Sequence, residues 1–148
     1  MTYPASDIGV FFKTNVIGTQ RLILALMRSN HYSEDFRFLH VSTDEVYGEL
    51  GKTGKFKPTS PYDPKNPYSA TKAASDFLVR SYGHTFGLNY TLSNCSNNYG
   101  PRQNKEKFIP VVIKSLLLGD KVPIYGQGDN IRDWIHVNDH CNAVWKIF

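Results

Sequence analysis

Tyr68 and Lys72 stand four residues apart in the stretch Tyr-Ser-Ala-Thr-Lys. On a helix this spacing places the two side chains on one face, one turn apart. A cation beside a phenol favours the phenolate and lowers the phenol's pKa, so the pair is suited to acid–base work. The same spacing also fits a solvated helix face. A second set, Ser42-Thr43-Asp44-Glu45-Val46-Tyr47-Gly48, follows directly on an apolar run. Polar groups at the carboxyl end of a parallel strand sit where open α/β sheets bind ligands. Adjacent Asp44 and Glu45 can divide the work of acid and base if their surroundings separate their pKa values. A plain strand-to-turn transition with exposed carboxylates is the alternative.

The elements that must hold these residues alternate between helix and strand, which predicts an α/β layered fold. A first helix is expected from about residue 9 to 29, with Phe12, Val16, Ile23, Leu26 and Met27 near one face and Asn30 as its stop. A strand follows at Phe36 to Ser42, dense enough in apolar residues for a buried parallel strand. Residues 48–67 read as a Gly- and Pro-rich loop. A second helix opens at Asn66–Pro67, where proline in the first turn sacrifices no hydrogen bond, and runs to about Phe86. Its expected buried face is Ala74, Phe77, Leu78 and Tyr82. A strand at Tyr90 to Ser96, a loop and a helix from about Glu106 to Leu118 with Gly119 as its stop come next. A short strand at Val122–Tyr125 and a last helix from Asn138, with Cys141, Val144, Trp145 and Phe148 as its apolar stripe, complete the pattern. Two core parallel strands are few for independent stability, so the sequence reads as the middle of something longer.

Composition narrows the function. The 148 residues are 41% apolar and 20% charged, which is globular rather than disordered or low-complexity. No apolar run approaches the roughly 20 residues that a membrane span needs, and no leader-like stretch opens the chain, so a cytoplasmic protein without a membrane partner is expected. Cys95 and Cys141 are too few to staple the domain and read as small buried hydrophobes in a reducing compartment. The net charge of +4 is scattered, with no basic stripe interleaved with aromatics, so nucleic acid is not expected as a partner. Two further patterns are decoys. Gly48, Gly51 and Gly54 imitate a dinucleotide fingerprint, but the Lys-Phe-Lys-Pro-Thr-Ser-Pro that follows cannot start the helix that a pyrophosphate faces. His136 and His140 are spaced like a zinc pair, but neither an adjacent glutamate nor a third ligand accompanies them, so no metal is expected.

Taken together, Thr43, Tyr68 and Lys72 resemble the Ser/Thr–Tyr–Lys triad of the extended short-chain dehydrogenase/reductase family. Thr-Asp-Glu-Val-Tyr-Gly, Asn66-Pro-Tyr-Ser-Ala-Thr-Lys, Asn94-Cys-Ser-Asn-Asn-Tyr-Gly-Pro, Pro123-Ile-Tyr-Gly and Ile131-Arg-Asp-Trp are similar to its nucleotide-sugar 4,6-dehydratase branch. The resemblance spans residues 13–148 and implies part of a Rossmann-like doubly wound parallel sheet at 1–100, carrying the acid–base residues, and the start of a smaller substrate lobe at 101–148. It implies NAD as cofactor and a nucleotide sugar, dTDP-glucose favoured, as substrate in deoxysugar (rhamnose-type, O-antigen) biosynthesis. By the same resemblance Tyr68, kept ionised by Lys72, would take the 4-hydroxyl proton and Thr43 would hydrogen-bond the same oxygen. Glu45 would remove the C5 proton, and Asp44 would protonate the departing 6-hydroxyl. Asn15 and Asn94, with Tyr68 and Lys72, match cofactor positions, although Asn15 also fits a helix N-terminal residue. Asn97, Lys107, Phe108, Pro123, Ile124, Tyr125 and Arg132 match positions lining the nucleotide-sugar site. The Arg132 fork can hold a diphosphate bidentately, or pair on the surface with Asp129 or Asp133. The helices at 9–29 and 66–86 match the pair through which the family dimerises as a four-helix bundle. The family's Gly-rich turn and its acidic residue for the adenosine ribose have no counterpart before residue 13. UDP-glucose as substrate, a UDP-sugar 4-epimerase, and a catalytically silent fragment acting in binding or oligomerisation are the rival readings.

Overall fold

The computed structural model describes residues 8–29, 32–33, 35–51, 53–124 and 126–148. The expected stop at Asn30 and the candidate Tyr125 lie outside the described residues. The fold is α/β with parallel strands, divided into a unit of residues 1–95 with 147–148, and a second unit of residues 96–146.

The first unit opens with a helical run of three segments: α1 (Ile8–Phe11), a π-helical stretch (Phe12–Gly18) and α2 (Thr19–Met27). Strand β1 (Phe38–Thr43) follows, and the chain turns at once into a 3₁₀ turn (Asp44–Tyr47). After an irregular segment comes the twenty-residue helix α3 (Pro67–Phe86). Its start is explicit in the sequence. The Asn66 side chain accepts from Ser69 N, the Ser69 hydroxyl accepts from Asn66 N, and Pro67 occupies the first turn. Gly87, left-handed at φ 70°, closes the helix. Strand β2 (Tyr90–Cys95) then pairs in parallel with β1, from Phe38 opposite Tyr90 to Thr43 opposite Cys95.

Two apolar clusters hold this unit. Ile23, Val79 and Leu88 are buried together, flanked by Leu26, Met27, Phe38, Tyr82 and Tyr90. Val46, Tyr47 and Ala73 are buried under Phe56 and Tyr62, so the turn after β1 is clamped between α3 and the irregular segment. Each fully buried aliphatic side chain contributes about 1.5–3 kcal/mol. Gly48 makes the turn possible. Its φ of 83° suits glycine, and a Cβ there would collide with the Asp63 carbonyl oxygen.

In the second unit β3 (Asn97–Tyr99) pairs in parallel with β4 (Trp134–His136), and α4 (Phe108–Leu118) and α5 (Val137–Ile147) are its helices. Residues 122–124 form no strand, and both β3 and β4 fall in stretches read as loop. Three-residue strands leave no alternating pattern long enough to detect.

The helix faces differ most from expectation. On α3 the buried residues are Ser69, Thr71, Ala73, Ser75, Asp76 and Val79, while Phe77 is 54% exposed. Apolar periodicity points to the wrong face because this interface is largely polar and satisfied by hydrogen bonds. Phe12 in the first helical run is likewise exposed. The α5 stripe is open as well: Cys141 is exposed and Trp145 is 78% exposed, while Cys95 is only half-buried. Neither cysteine is the buried hydrophobe expected.

Candidate active site

Thr43 ends β1, and the backbone turns immediately so that Asp44 and Glu45 open the 3₁₀ turn. The Thr43 hydroxyl oxygen accepts from Glu45 N (3.3 Å) and its hydroxyl donates to Asp44 Oδ1 (3.3 Å). The three residues are thereby held as one cap. Glu45 is held at its far end too, because Asn66 Nδ2 donates to Glu45 Oε2 (3.1 Å). Asn66 is the N-cap of α3, so the acidic pair lies at the end of the helix that carries Tyr68 and Lys72.

Lys72 Nζ donates to the Val41 carbonyl (2.8 Å), which fastens the helix to β1 just before Thr43. Burial pushes the Lys72 ammonium below its ordinary pKa, and the neighbouring Asp76 and Cys95 groups oppose that shift. The Tyr68 ring meets Phe11 edge-on, with ring centroids 5.7 Å apart. Asn15 sits in the middle of the π-helical stretch rather than at a helix N-terminus, and its Nδ2 donates to Thr71 Oγ1 (2.9 Å). Thr71 in turn donates to the Tyr68 carbonyl (2.8 Å), so Asn15 is connected to the Tyr68 turn of the helix.

Beneath these residues lies a buried network that the sequence reading does not contain. Asp76 is fully buried, and its Oδ2 accepts from Ser42 Oγ (2.9 Å), Tyr62 OH (2.9 Å) and Asn94 Nδ2 (3.2 Å). His40 Nε2 lies 3.1 Å from Asp76 Oδ1 and 3.2 Å from Ser75 Oγ. The Ser75 hydroxyl already donates to the Lys72 carbonyl (2.7 Å), so both groups facing the imidazole are acceptors and Nε2 carries the proton. Asn94 also donates to Thr43 O (3.2 Å) and accepts from Tyr47 OH (3.1 Å). Burial and the hydrogen bond to Asp76 push the Tyr62 phenol well above its usual pKa, and burial, with Arg80 opposing and Asp76 assisting, raises Tyr47. Arg80 lies 5.1 Å over the Tyr62 ring. Asp76 follows Lys72 by four residues and Tyr68 by eight, so it lies near the same helical face. That spacing was the available signal.

Asn15, Thr43, Asp44, Glu45, Tyr68, Lys72 and Asn94 all belong to the first unit, whereas the other candidates belong to the second. There Asn97 donates from Nδ2 to Asp133 O (3.2 Å), Lys107 precedes α4 and the Phe108 ring lies 6.3 Å from Trp134. Pro123 and the 71% exposed Ile124 lie in irregular backbone. Arg132 donates to the Ile131 carbonyl (2.8 Å), and among the described residues it forms no ion pair with Asp129 or Asp133.

The donor set of the first unit fits the reactive half of a nicotinamide cofactor: a lysine ammonium and a tyrosine hydroxyl one turn apart, beside a strand's carboxyl end. The Gly48–Gly54 stretch offers no cradle for its phosphates, since it leads into irregular backbone.

Comparisons with known proteins supply the chain's relatives. The dTDP-glucose 4,6-dehydratase of Xanthomonas campestris pv. campestris (strain B100) is 54% identical over 141 residues, covering 92% of this chain and 40% of that protein. That of Mycolicibacterium smegmatis is 52% identical over 144 residues, covering 96% of this chain and 42% of the relative. The crystal structure of the Bacillus anthracis dTDP-glucose 4,6-dehydratase in complex with NAD superposes with a TM-score of 0.84 at 47% identity, over 90% of this chain and 42% of that one. A UDP-glucuronic acid 4-epimerase from Bacillus cereus superposes at 0.78 with 31% identity, over 86% of this chain and 39% of that one. The chain thus spans about two fifths of the length of these relatives, and its fold is the Rossmann-like α/β fold they share. Residues 6–148 match the family described as GDP-mannose 4,6 dehydratase, and the chain belongs to that family.

Proposed function

We propose that this chain carries the acid–base half of an NAD-dependent nucleotide-sugar 4,6-dehydratase acting on dTDP-glucose, with residues 96–146 contributing to the sugar-nucleotide lobe. The observation that carries the reading is the Asn66–Glu45 bond. It puts an acidic pair at the start of the helix that bears Tyr68 and Lys72. The names of the relatives supply the substrate class. Tyr68, Lys72, Asn15 and Asn94 would hold NAD, which when bound would supply a hydride acceptor for the sugar's C4 and a hydride source for C6. Tyr68 takes the 4-hydroxyl proton, and the nearby Lys72 ammonium stabilises its phenolate. Thr43 hydrogen-bonds the same sugar oxygen. Glu45 takes the C5 proton, made acidic by the 4-keto group, and Asp44 gives a proton to the departing 6-hydroxyl. Asn97, Lys107, Phe108, Pro123, Ile124, Tyr125 and Arg132 line the nucleotide-sugar site. The product is a 4-keto-6-deoxy sugar, the starting point for rhamnose-type sugars. A cytoplasmic homodimer formed through the 8–27 and 67–86 helices completes the proposal, supported by the exposed Phe12, Leu22 and Phe77 side chains.

The test is to incubate the chain with NAD and dTDP-glucose and to follow the sugar nucleotide by mass spectrometry and NMR. The expected result is loss of one water with solvent hydrogen at C5. Tyr68→Phe should lower turnover by about 10²–10⁴-fold, the usual worth of a positioned acid–base group. A C4 epimer as product would establish an epimerase instead. Binding of the nucleotide sugar without turnover would leave a binding module.

A further inference from the structure

We propose that Asn66 is a positioning residue for Glu45: one side-chain amide caps the helix carrying Tyr68 and Lys72 and holds the Glu45 carboxylate against its first turn. The inference rests on the reading of Glu45 as the C5 base. Its geometry is unambiguous about which end of the amide does what. Ser69 N can only donate, so the group facing it at 2.8 Å is the amide oxygen. The Glu45 carboxylate can only accept, so the group facing Oε2 at 3.1 Å is the amide nitrogen. Serine and aspartate cap helices about as well as asparagine does, and threonine somewhat less well. None of them offers an NH₂ on the far side of its capping oxygen.

The consequence is that Glu45 is held at two points. Its backbone N–H donates to Thr43 Oγ1, and its carboxylate accepts from Asn66. The next residue, Val46, is fully buried, so the turn cannot swing to compensate for loss of either anchor. Without Asn66 Nδ2 the Glu45 side chain, which is exposed, regains its ordinary rotamer freedom. Proton abstraction from carbon is the step that suffers, because it needs the carboxylate aimed at one C–H bond.

Asn66→Ser separates the two roles, since it keeps a cap and removes the donor. With the full chain, NAD and dTDP-glucose, its melting temperature should match that of the wild type. KM should hold, and kcat and C5 exchange with solvent should fall about three- to tenfold, the equivalent of one modest hydrogen bond. Asn66→Ala, which loses the cap as well, should also melt earlier. Unchanged kcat in Asn66→Ser would overturn the proposal. A second readout is independent of turnover. In ¹⁵N-labelled chain the Asn66 side-chain amide protons should shift as Glu45 titrates, and Glu45→Gln should abolish that response. An amide indifferent to Glu45 overturns the positioning role, whether or not the chain turns over. A responsive amide in a chain without turnover supports it and overturns only the proposed activity.

Discussion

Replacing Asp76 by alanine tests the buried network most severely. The carboxylate is fully buried and serves four donors, Ser42, Tyr62, Asn94 and His40, from two strands and the irregular segment. A hydrogen bond to a charged group is worth about 1.5–3 kcal/mol, so the four total roughly 6–12 kcal/mol gross. Keeping a carboxylate out of water costs several kcal/mol, and removing it recovers that cost. The net loss on breaking such a cluster is therefore about 3–5 kcal/mol, with four donors left without their acceptor. For a chain of this length that lowers the melting temperature by roughly 10–15 °C. Asp76→Asn keeps the shape and one acceptor oxygen, and His40 can change tautomer to accept from the new NH₂, so its cost should be about 1–2 kcal/mol. Urea unfolding followed by far-UV circular dichroism measures both. An alanine variant within 1 kcal/mol of the wild type would refute the reasoning, because it would mean that the donors lose nothing when their common acceptor goes.

Two further outcomes follow from the same region. Gly48→Ala should destabilise by about 2–4 kcal/mol, since the new Cβ meets the Asp63 backbone and the backbone there suits glycine; thermal melts would show it, and a neutral substitution would mean that the turn opens without penalty. Tyr62 has a raised pKa, so above pH 10 the folded state keeps a proton that the unfolded state releases, and stability falls as pH rises. Tyr62→Phe should be less stable at neutral pH by about 1–2 kcal/mol and lose less stability between pH 9 and 11; an unchanged alkaline slope would contradict the assignment.

The first unit was legible wherever local chemistry sets the structure. Asn66, Pro67 and Ser69 announce the start of α3, Gly87 closes it, and the apolar run before Thr43 becomes β1, displaced by two residues at its start. Thr43, Asp44, Glu45, Tyr68 and Lys72 were visible as types at particular spacings. What could not be read was the direction α3 faces. Its sheet-facing side presents Ser75 and Asp76, which look like surface residues until His40 and Ser42 of β1 are known to lie opposite. The π-helical winding at Asn15 leaves no compositional mark, and β3 and β4 are each too short to carry one. In the second unit the apolar faces of α4 and α5 are largely exposed, so their periodicity reported amphipathic helices and not a buried side.

The π-helical stretch carries a consequence for how this chain tolerates change in length. A π-turn closes its hydrogen bonds one residue further along than an α-turn, so Phe12–Gly18 holds slack. Removal of a single residue there can be absorbed by tightening the winding to α, with Ile23 and its neighbours on one side keeping their place in the core. The slack is usable only on either side of Asn15, whose amide reaches across to Thr71. A segment that looks like an irregularity thus works as an expansion joint with one fixed bolt.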